Sequence, residues 1–153
     1  MEFKFIDKTF YDEIAPISLE LAILHAKSRT DLFFEPVLMT KKDFRERIKI
    51  KGFVGIAAYE NDVLVGYCFC RIKSFKSQEN ANSKSLWIDE LFVCPEYRRS
   101  GYGTEIFTKL KEIAKENDCF IIEFDVWQLN DTAQSFYDSL GCKTQKVTKE
   151  LIL

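Results

Sequence analysis

Apolar side chains at intervals of three and four residues indicate where the chain is helical. Thr40 and Asp43 have the spacing of a capping box at a helix N-terminus. Gly141 follows the last helical pattern and is a common residue just after a helix end. The predicted helices cover residues 10–27, 40–50, 103–116 and 130–140.

Short runs rich in β-branched and aromatic residues, or alternating between polar and apolar ones, predict the strands. The first two long runs are separated by Glu60, Asn61 and Asp62, which have the length and chemistry of a hairpin turn, so an antiparallel pair is expected. The polar segment 74–85 is predicted to be an exposed loop. The predicted strands cover residues 2–6, 53–59, 63–73, 86–93 and 120–126, with two short strands or one bent strand in 142–153.

The order of these elements predicts a mixed α/β domain, β-α-α-β-β-β-α-β-α-β-β. The front half is antiparallel, and the strand, helix, strand order over residues 86–126 indicates a parallel crossover. A chain of 153 residues with 46% hydrophobic content fits one domain with an adequate core. We therefore expect a single domain, 1–153, with a central sheet of about six to seven strands flanked by helices.

Charge and composition narrow the classes of partner. The net charge is -2 and the sequence pI is near 5.6, which argues against a broad nucleic-acid-binding surface. No apolar run is long enough for a membrane span and the first residues do not resemble a signal peptide, so a cytoplasmic location is expected. The five cysteines are an odd number in apolar segments and should be reduced.

A metal site is not expected. Cys68 and Cys70 should share one face of a strand, but no second cysteine pair completes a zinc site. His25 is the only histidine, and we interpret it as a structural residue.

The segment between the strand ending at Val93 and the helix beginning near Gly103 carries the strongest chemical signal. A loop that enters a helix N-terminus presents unpaired N–H groups and the positive end of the helix dipole. Gly101 and Gly103 let an anion approach that backbone, and Arg98 and Arg99 add positive charge. The pattern indicates a pyrophosphate site, although glycines of this spacing also occur where they only shape a tight turn.

The strand 86–93 followed by Arg98-x-x-Gly101-x-Gly103 resembles the acetyl-CoA motif of the GNAT family of N-acetyltransferases. Residues 130–141, in which an Asn opens a helix carrying Phe-Tyr and a small-residue turn closes it, are similar to the family's second motif. The resemblance implies a GNAT fold, acetyl-CoA as the acetyl donor, and a primary amine as the acceptor. Within the family the strand and Pro-x-Tyr-Arg most resemble the small-molecule branch that includes diamine and polyamine acetyltransferases.

The resemblance also implies roles for individual residues. The main chain of Leu91, Phe92 and Val93 would pair with the pantetheine arm, and an N–H of Phe92 or Val93 would hold the thioester oxygen. Asn130 would hydrogen-bond the pantetheine, in addition to capping its helix. Arg99 departs from the family, where many relatives have glycine. The residues expected around the pyrophosphate are Arg98, Arg99, Ser100, Gly101, Tyr102, Gly103 and Thr104.

Tyr137 is the candidate general acid. With an ordinary pKa of about 10 a tyrosine stays protonated at neutral pH and can donate to the departing thiolate. The alternative is an aromatic side chain that only packs beneath the sheet beside Phe136.

Asp89 and Glu90 are the candidate groups for the acceptor amine, which must lose a proton before it attacks. Because successive side chains of a strand face opposite ways, only one of them is expected to face a given pocket. Either carboxylate could be the base, or water could carry the proton while both carboxylates bind substrate.

Other functions would share some of these predicted features. Protein or peptide N-acetylation would need a wider acceptor groove, and a non-catalytic acyl-CoA-binding regulatory domain would keep the phosphate loop alone. A Rossmann-type nucleotide binder would have its glycine loop after an early strand, which this chain does not. The expected partners are a small-molecule amine, no nucleic acid, no membrane, and a second copy of the chain in the homodimer that the family suggests.

Overall fold

A computed structural model of the chain describes residues 1–74 and 84–152. The elements follow the order β-α-α-β-β-β-α-β-α, which confirms the predicted order as far as the last helix. Short 3-10 turns at Lys8–Phe10 and Pro95–Tyr97 precede the first and third helices. The strands are β1 (Glu2–Phe5), β2 (Phe53–Glu60), β3 (Val63–Ser74), β4 (Lys84–Val93) and β5 (Ile121–Phe124), and the helices are α1 (Tyr11–Ser28), α2 (Lys41–Ile48), α3 (Tyr102–Glu116) and α4 (Asp131–Ser139).

The strands form one sheet in the order β1-β2-β3-β4-β5. The first four are antiparallel to their neighbours and β5 is parallel to β4, so the predicted hairpin and crossover are both confirmed. Asn61 and Asp62 form the hairpin turn with φ of 49° and 63°. Both values lie in the left-handed region that a two-residue hairpin turn favours and that Asn and Asp tolerate.

The strand count was predicted too high. The part of the chain that the structure describes forms a sheet of five strands, and residues 142–152 contain neither a helix nor a strand. The apolar side chains there, Val147, Leu151 and Ile152, are 63–84% exposed, so no core face stabilises the segment as a strand. Side-chain contacts hold it instead, including the Arg29–Glu150 ion pair at 2.8 Å. Of the predicted loop, residues 75–83 lie outside the described residues, and Ser74, Lys84 and Ser85 belong to strands.

A separate apolar cluster covers each face of the sheet. α1 and α2 pack Ile14 and Phe44 against one face, where Tyr67, Phe69 and Phe92 are buried. α3 packs its apolar side against the other face. The buried residues of that second cluster include Cys68, Cys70, Leu86, Ile88, Ile106, Phe107, Leu110 and Ile113.

The cysteines are free thiols. Cys68 and Cys70 lie in the same cluster, as strand alternation predicts. No helix within residues 1–74 and 84–152 combines the length and apolar character needed to cross a membrane.

Candidate active site

The parallel pair β4 and β5 separates partway along β4. The pairing runs from Ser85 with Ile121 to Ile88 with Phe124, whereas β4 continues to Val93. We call the point just after the Ile88–Phe124 pair the fork. Beyond the fork, β4 has a partner only on its β3 edge among the described residues.

The register of β3 and β4 shows which β4 backbone groups face the open edge. The Cys94 N–H donates to the Val65 carbonyl at 2.9 Å, on the β3 side. Because backbone groups alternate between the two edges of a strand, the N–H of Val93 faces the side that β5 leaves open.

The turn of residues 98–103 connects β4 to α3, and most of its amides are unpaired. The N–H groups of residues 99–103 have no hydrogen-bond partner among residues 1–74 and 84–152. Gly101 is the N-cap of α3 with φ of 88°, and the space where its Cβ would lie is open. Consecutive unpaired amides at a helix N-terminus form a site for an anion.

Arg98 and Arg99 take different positions in this turn. Arg98 Nε donates to the Val93 carbonyl at 2.9 Å, which anchors the turn to the end of β4. Arg99 has φ of 65°, a left-handed conformation that costs a residue with a side chain more than it costs glycine. This conformation explains why a glycine suits the position in the resembling family.

Of the other turn residues, two pack against neighbouring side chains and two are exposed. A Cβ on Gly103 would lie 3.2 Å from the Phe136 ring, so this glycine allows α3 and α4 to pack closely. The Tyr102 ring packs edge-on against Tyr97, with centroids 6.0 Å apart. Ser100 and Thr104 are exposed.

α4 brings Tyr137 to the fork. Asn130 caps the helix by accepting from the Ala133 N–H at 3.0 Å, as predicted. The Tyr137 ring stacks on Phe124, the last paired residue of β5, with centroids 4.0 Å apart. Its hydroxyl has no hydrogen-bond partner in the described ranges, and burial raises its pKa. The phenol is therefore protonated at neutral pH.

The expectation that only one of Asp89 and Glu90 would face a pocket was wrong. The β3–β4 register shifts between Phe69 and Cys70, so Phe69 pairs with Glu90 and Cys70 with Ile88. Asp89 is the extra residue of this β-bulge, which changes the phase of the strand. Both carboxylates consequently line the same cavity.

Glu90 is the centre of a network between α1, α2 and β3. Its Oε2 accepts from the Tyr67 hydroxyl at 2.5 Å and from Ser18 Oγ at 3.3 Å, and its Oε1 lies 2.7 Å from an Arg47 guanidinium nitrogen. Burial and the neighbouring carboxylate raise the pKa of Tyr67. Tyr67 therefore acts as a hydrogen-bond donor that fixes Glu90.

Asp89 is held by one partner. Arg71 binds it through two guanidinium nitrogens, with Nε 2.7 Å from Oδ2. This hydrogen bond is the main reason that the pKa of Arg71 is raised. Each carboxylate at the fork thus has an arginine partner.

A cavity of about 280 Å³ lies between α1, α2 and β4, and we call it the α1–α2 cavity. Apart from the two carboxylates, the residues that line this cavity were not predicted from the sequence. They come from separate elements and form no local motif. His25, which was interpreted as structural, is one of them. The lining residues are Ser18, Leu19, Leu21, Ala22, His25, Val37, Met39, Arg47, Asp89 and Glu90.

Known proteins with similar sequences are acetyltransferases. N-alpha-acetyltransferase 50 of Danio rerio is 30% identical over 107 residues, which is 69% of this chain and 60% of that protein. Thialysine N-epsilon-acetyltransferase of Bos taurus is 30% identical over 60 residues, 39% of this chain and 35% of that protein. The matched regions thus span about a third to three fifths of these relatives.

Solved structures agree in fold. A mutant of the BH1408 protein of Bacillus halodurans superposes with a TM-score of 0.90 at 26% identity, covering 100% of this chain and 99% of that one. The aminoglycoside N-acetyltransferase AAC(6')-Iy, in complex with CoA, superposes with a TM-score of 0.73 at 14% identity, covering 99% of this chain and 98% of that one. At that identity the second likeness shows the fold alone.

The model of the acetyltransferase (GNAT) family matches residues 21–142. That range includes the fork, the turn of residues 98–103 and α4, together with α2 and the C-terminal part of α1. The chain belongs to the GNAT family of acetyltransferases.

Proposed function

We propose that this protein transfers the acetyl group of acetyl-CoA to the primary amine of a small molecule, by direct attack of the amine on the thioester. The observation that carries the proposal is the fork. It lies between an anion site made of backbone amides and a cavity that contains two carboxylates.

The turn and the open β4 edge fit the two ends of a CoA molecule. The unpaired amides of residues 99–103 suit its diphosphate, with Arg98 adding positive charge. On the open edge, the N–H and C=O of Leu91 and the N–H of Val93 suit the amides of a pantetheine arm. The backbone groups of Phe92 face β3, and Arg98 occupies the Val93 carbonyl. Asn130, at the start of α4, is the further candidate for a contact to that arm.

Four groups at the fork and along the open β4 edge have the chemistry for the transfer. The Val93 N–H, on the open edge, donates to the thioester oxygen as negative charge develops there. The Tyr137 phenol gives its proton to the departing thiolate. Asp89 and Glu90 hold and orient the amine, whose proton leaves into the α1–α2 cavity.

The size of the cavity favours a small acceptor. At about 280 Å³ it is at the lower limit of ordinary ligand pockets. The similarity to N-alpha-acetyltransferase 50 gives a second candidate, a peptide N-terminus, whose first residue would enter the same cavity.

A thiol-release assay tests the proposal. Acetyl-CoA would be incubated with polyamines, amino acids, aminoglycosides and peptides, using wild type and Tyr137→Phe. We expect turnover with small amines, and a fall in kcat of about 100-fold or more in the variant, because the thiolate then leaves without its acid. Tyr59→Phe, on β2, is the matched control and should keep the wild-type rate.

Calorimetry with CoA separates the alternatives. Tyr137→Phe should bind CoA as wild type does. CoA binding without turnover on any amine would favour the non-catalytic regulatory domain. Absence of CoA binding would overturn the proposal altogether.

A further inference from the structure

We propose that His25 is the residue that accepts the proton of the acceptor amine, directly or through one water. The inference rests on the proposed transferase function. It assigns a catalytic role to a residue outside both motifs that carry the family resemblance.

The position of His25 supports this role. It lies on α1 and lines the α1–α2 cavity together with Asp89 and Glu90, the first two residues of β4 beyond the fork. An amine held by Asp89 or Glu90 in this cavity therefore shares the cavity with the imidazole. His25 is half-buried, so water in the cavity can also connect it to the amine.

The carboxylates are less suited to take the proton, because each is already bound by cationic or hydroxyl donors. Arg71 binds both oxygens of Asp89. Glu90 accepts from Tyr67 and Ser18 and pairs with Arg47. Lone pairs that already accept from these donors are not available for the proton of an amine.

The imidazole of His25 is not bound by donors of this kind. Its ring contacts Phe33, with centroids 6.3 Å apart, and no hydrogen bond of the side chain is formed within residues 1–74 and 84–152. The charged groups that line the cavity with it are Asp89 and Glu90 of β4 and Arg47 of α2. Burial lowers the pKa of His25 and the charge of Glu90 only partly opposes that shift. The imidazole is therefore neutral at pH 7 and has a free lone pair.

The transfer begins once the acceptor ammonium has lost one proton to solvent. The neutral amine nitrogen forms a bond to the thioester carbon, which makes its remaining hydrogens acidic, and the C–S bond breaks. One N–H proton passes to His25, and the departing thiolate takes the Tyr137 proton. Afterwards the imidazolium loses a proton to solvent and the phenolate regains one, so that the products are the N-acetyl amine and CoA thiol.

The first test needs no variant. His25 is the only histidine in the sequence, so tag-free protein gives a single imidazole titration by NMR. We expect a pKa below the usual 6.5 or so, and an acidic limb in the pH profile of kcat/KM at the same pH, because kcat/KM reports the free enzyme. An imidazole that is still charged at pH 7.5, or a limb at a different pH, would overturn the proposal.

The second test uses variants. His25→Gln should lower kcat by about 100-fold and remove the acidic limb, while CoA affinity measured by calorimetry stays at the wild-type value. Added imidazole should restore at least part of the rate in His25→Ala. Phe33→Leu is the control for a residue that only packs, since it removes the ring contact of His25 without touching the cavity, and it should keep both rate and pH limb.

The outcomes separate this inference from the proposed function. A wild type that turns over amines, beside a His25→Gln variant within threefold of it and with an unchanged limb, refutes the role of His25 and leaves the transferase intact. A wild type that binds CoA but acetylates nothing refutes both. If His25→Gln fails to fold, the NMR and kinetic titrations of wild type still decide.

Discussion

The two ends of the candidate site are built in opposite ways. The turn of residues 98–103 is a largely exposed stretch of backbone, and the amides of residues 99–103 have no partner in the part of the chain that the structure describes. The α1–α2 cavity is built from side chains of three elements, and its polar groups are largely bonded to one another. A backbone site depends on local conformation, whereas a side-chain site depends on partners far away in the sequence. The two should therefore respond to different kinds of mutation.

The largest expected loss of stability comes from a mutation in the α1–α2 cavity. Glu90→Ala leaves Arg47 and the buried Tyr67 hydroxyl without their partner, so the free energy of unfolding should fall by about 2–3 kcal/mol. Denaturation in urea measures this. Glu112→Ala is the matched control, because Glu112 also has a close cation, Lys109 at 2.9 Å, but is 55% exposed. We expect a loss of less than about 0.5 kcal/mol there, and equal losses would contradict the network around Glu90.

A smaller loss of stability is expected from a mutation in the backbone turn of residues 98–103. Gly101→Ala should lower the free energy of unfolding by about 1 kcal/mol, because φ at this position is 88° and the left-handed region disfavours a Cβ. Nothing lies where the methyl group would be, so a clash does not contribute. Gly101→Asn should cost less than Gly101→Ala, since Asn enters this region more readily. A steric effect would give the reverse order, because Asn is larger.

The smallest expected effect is a gain in stability, from a substitution at Arg99. Arg99→Gly should raise the free energy of unfolding by about 0.5 kcal/mol, because glycine relieves the left-handed strain at φ of 65° but also loses more conformational entropy on folding. Thermal and urea unfolding at high salt, where the charge of the guanidinium is screened, measure the backbone effect. Destabilisation in Arg99→Gly would mean that contacts of the arginine side chain outweigh the strain.

These differences explain which parts of the site could be predicted from the sequence. An anion site made of amides needs glycines at fixed positions between a strand and a helix, and that requirement leaves a short local pattern around Gly101. The cavity leaves no such pattern. Ser18, Arg47 and Tyr67 meet Glu90 only because α1, α2 and β3 pack together around it.

The fold, too, could be predicted from the sequence only in part. Helices α1 to α4 and the hairpin of β2 and β3 follow from apolar periodicity, the capping box at Thr40 and the turn at Asn61 and Asp62. The predicted last strands failed because alternation alone cannot reveal whether a sheet face is available to bury them. Only contacts with the rest of the molecule decide that, and Val147 has none that bury it.

The sequence by itself determined the order of elements as far as α4, the glycine turn before α3 and the family, since each depends on residues that are neighbours along the chain. Tertiary structure alone decided that a bulge at Asp89 turns both carboxylates to one face and that His25 shares their cavity. The physical reason is that a one-residue slip in strand pairing reverses which side chains face the core. That slip depends on how β3 and β4 pair and is not encoded in the period of either strand.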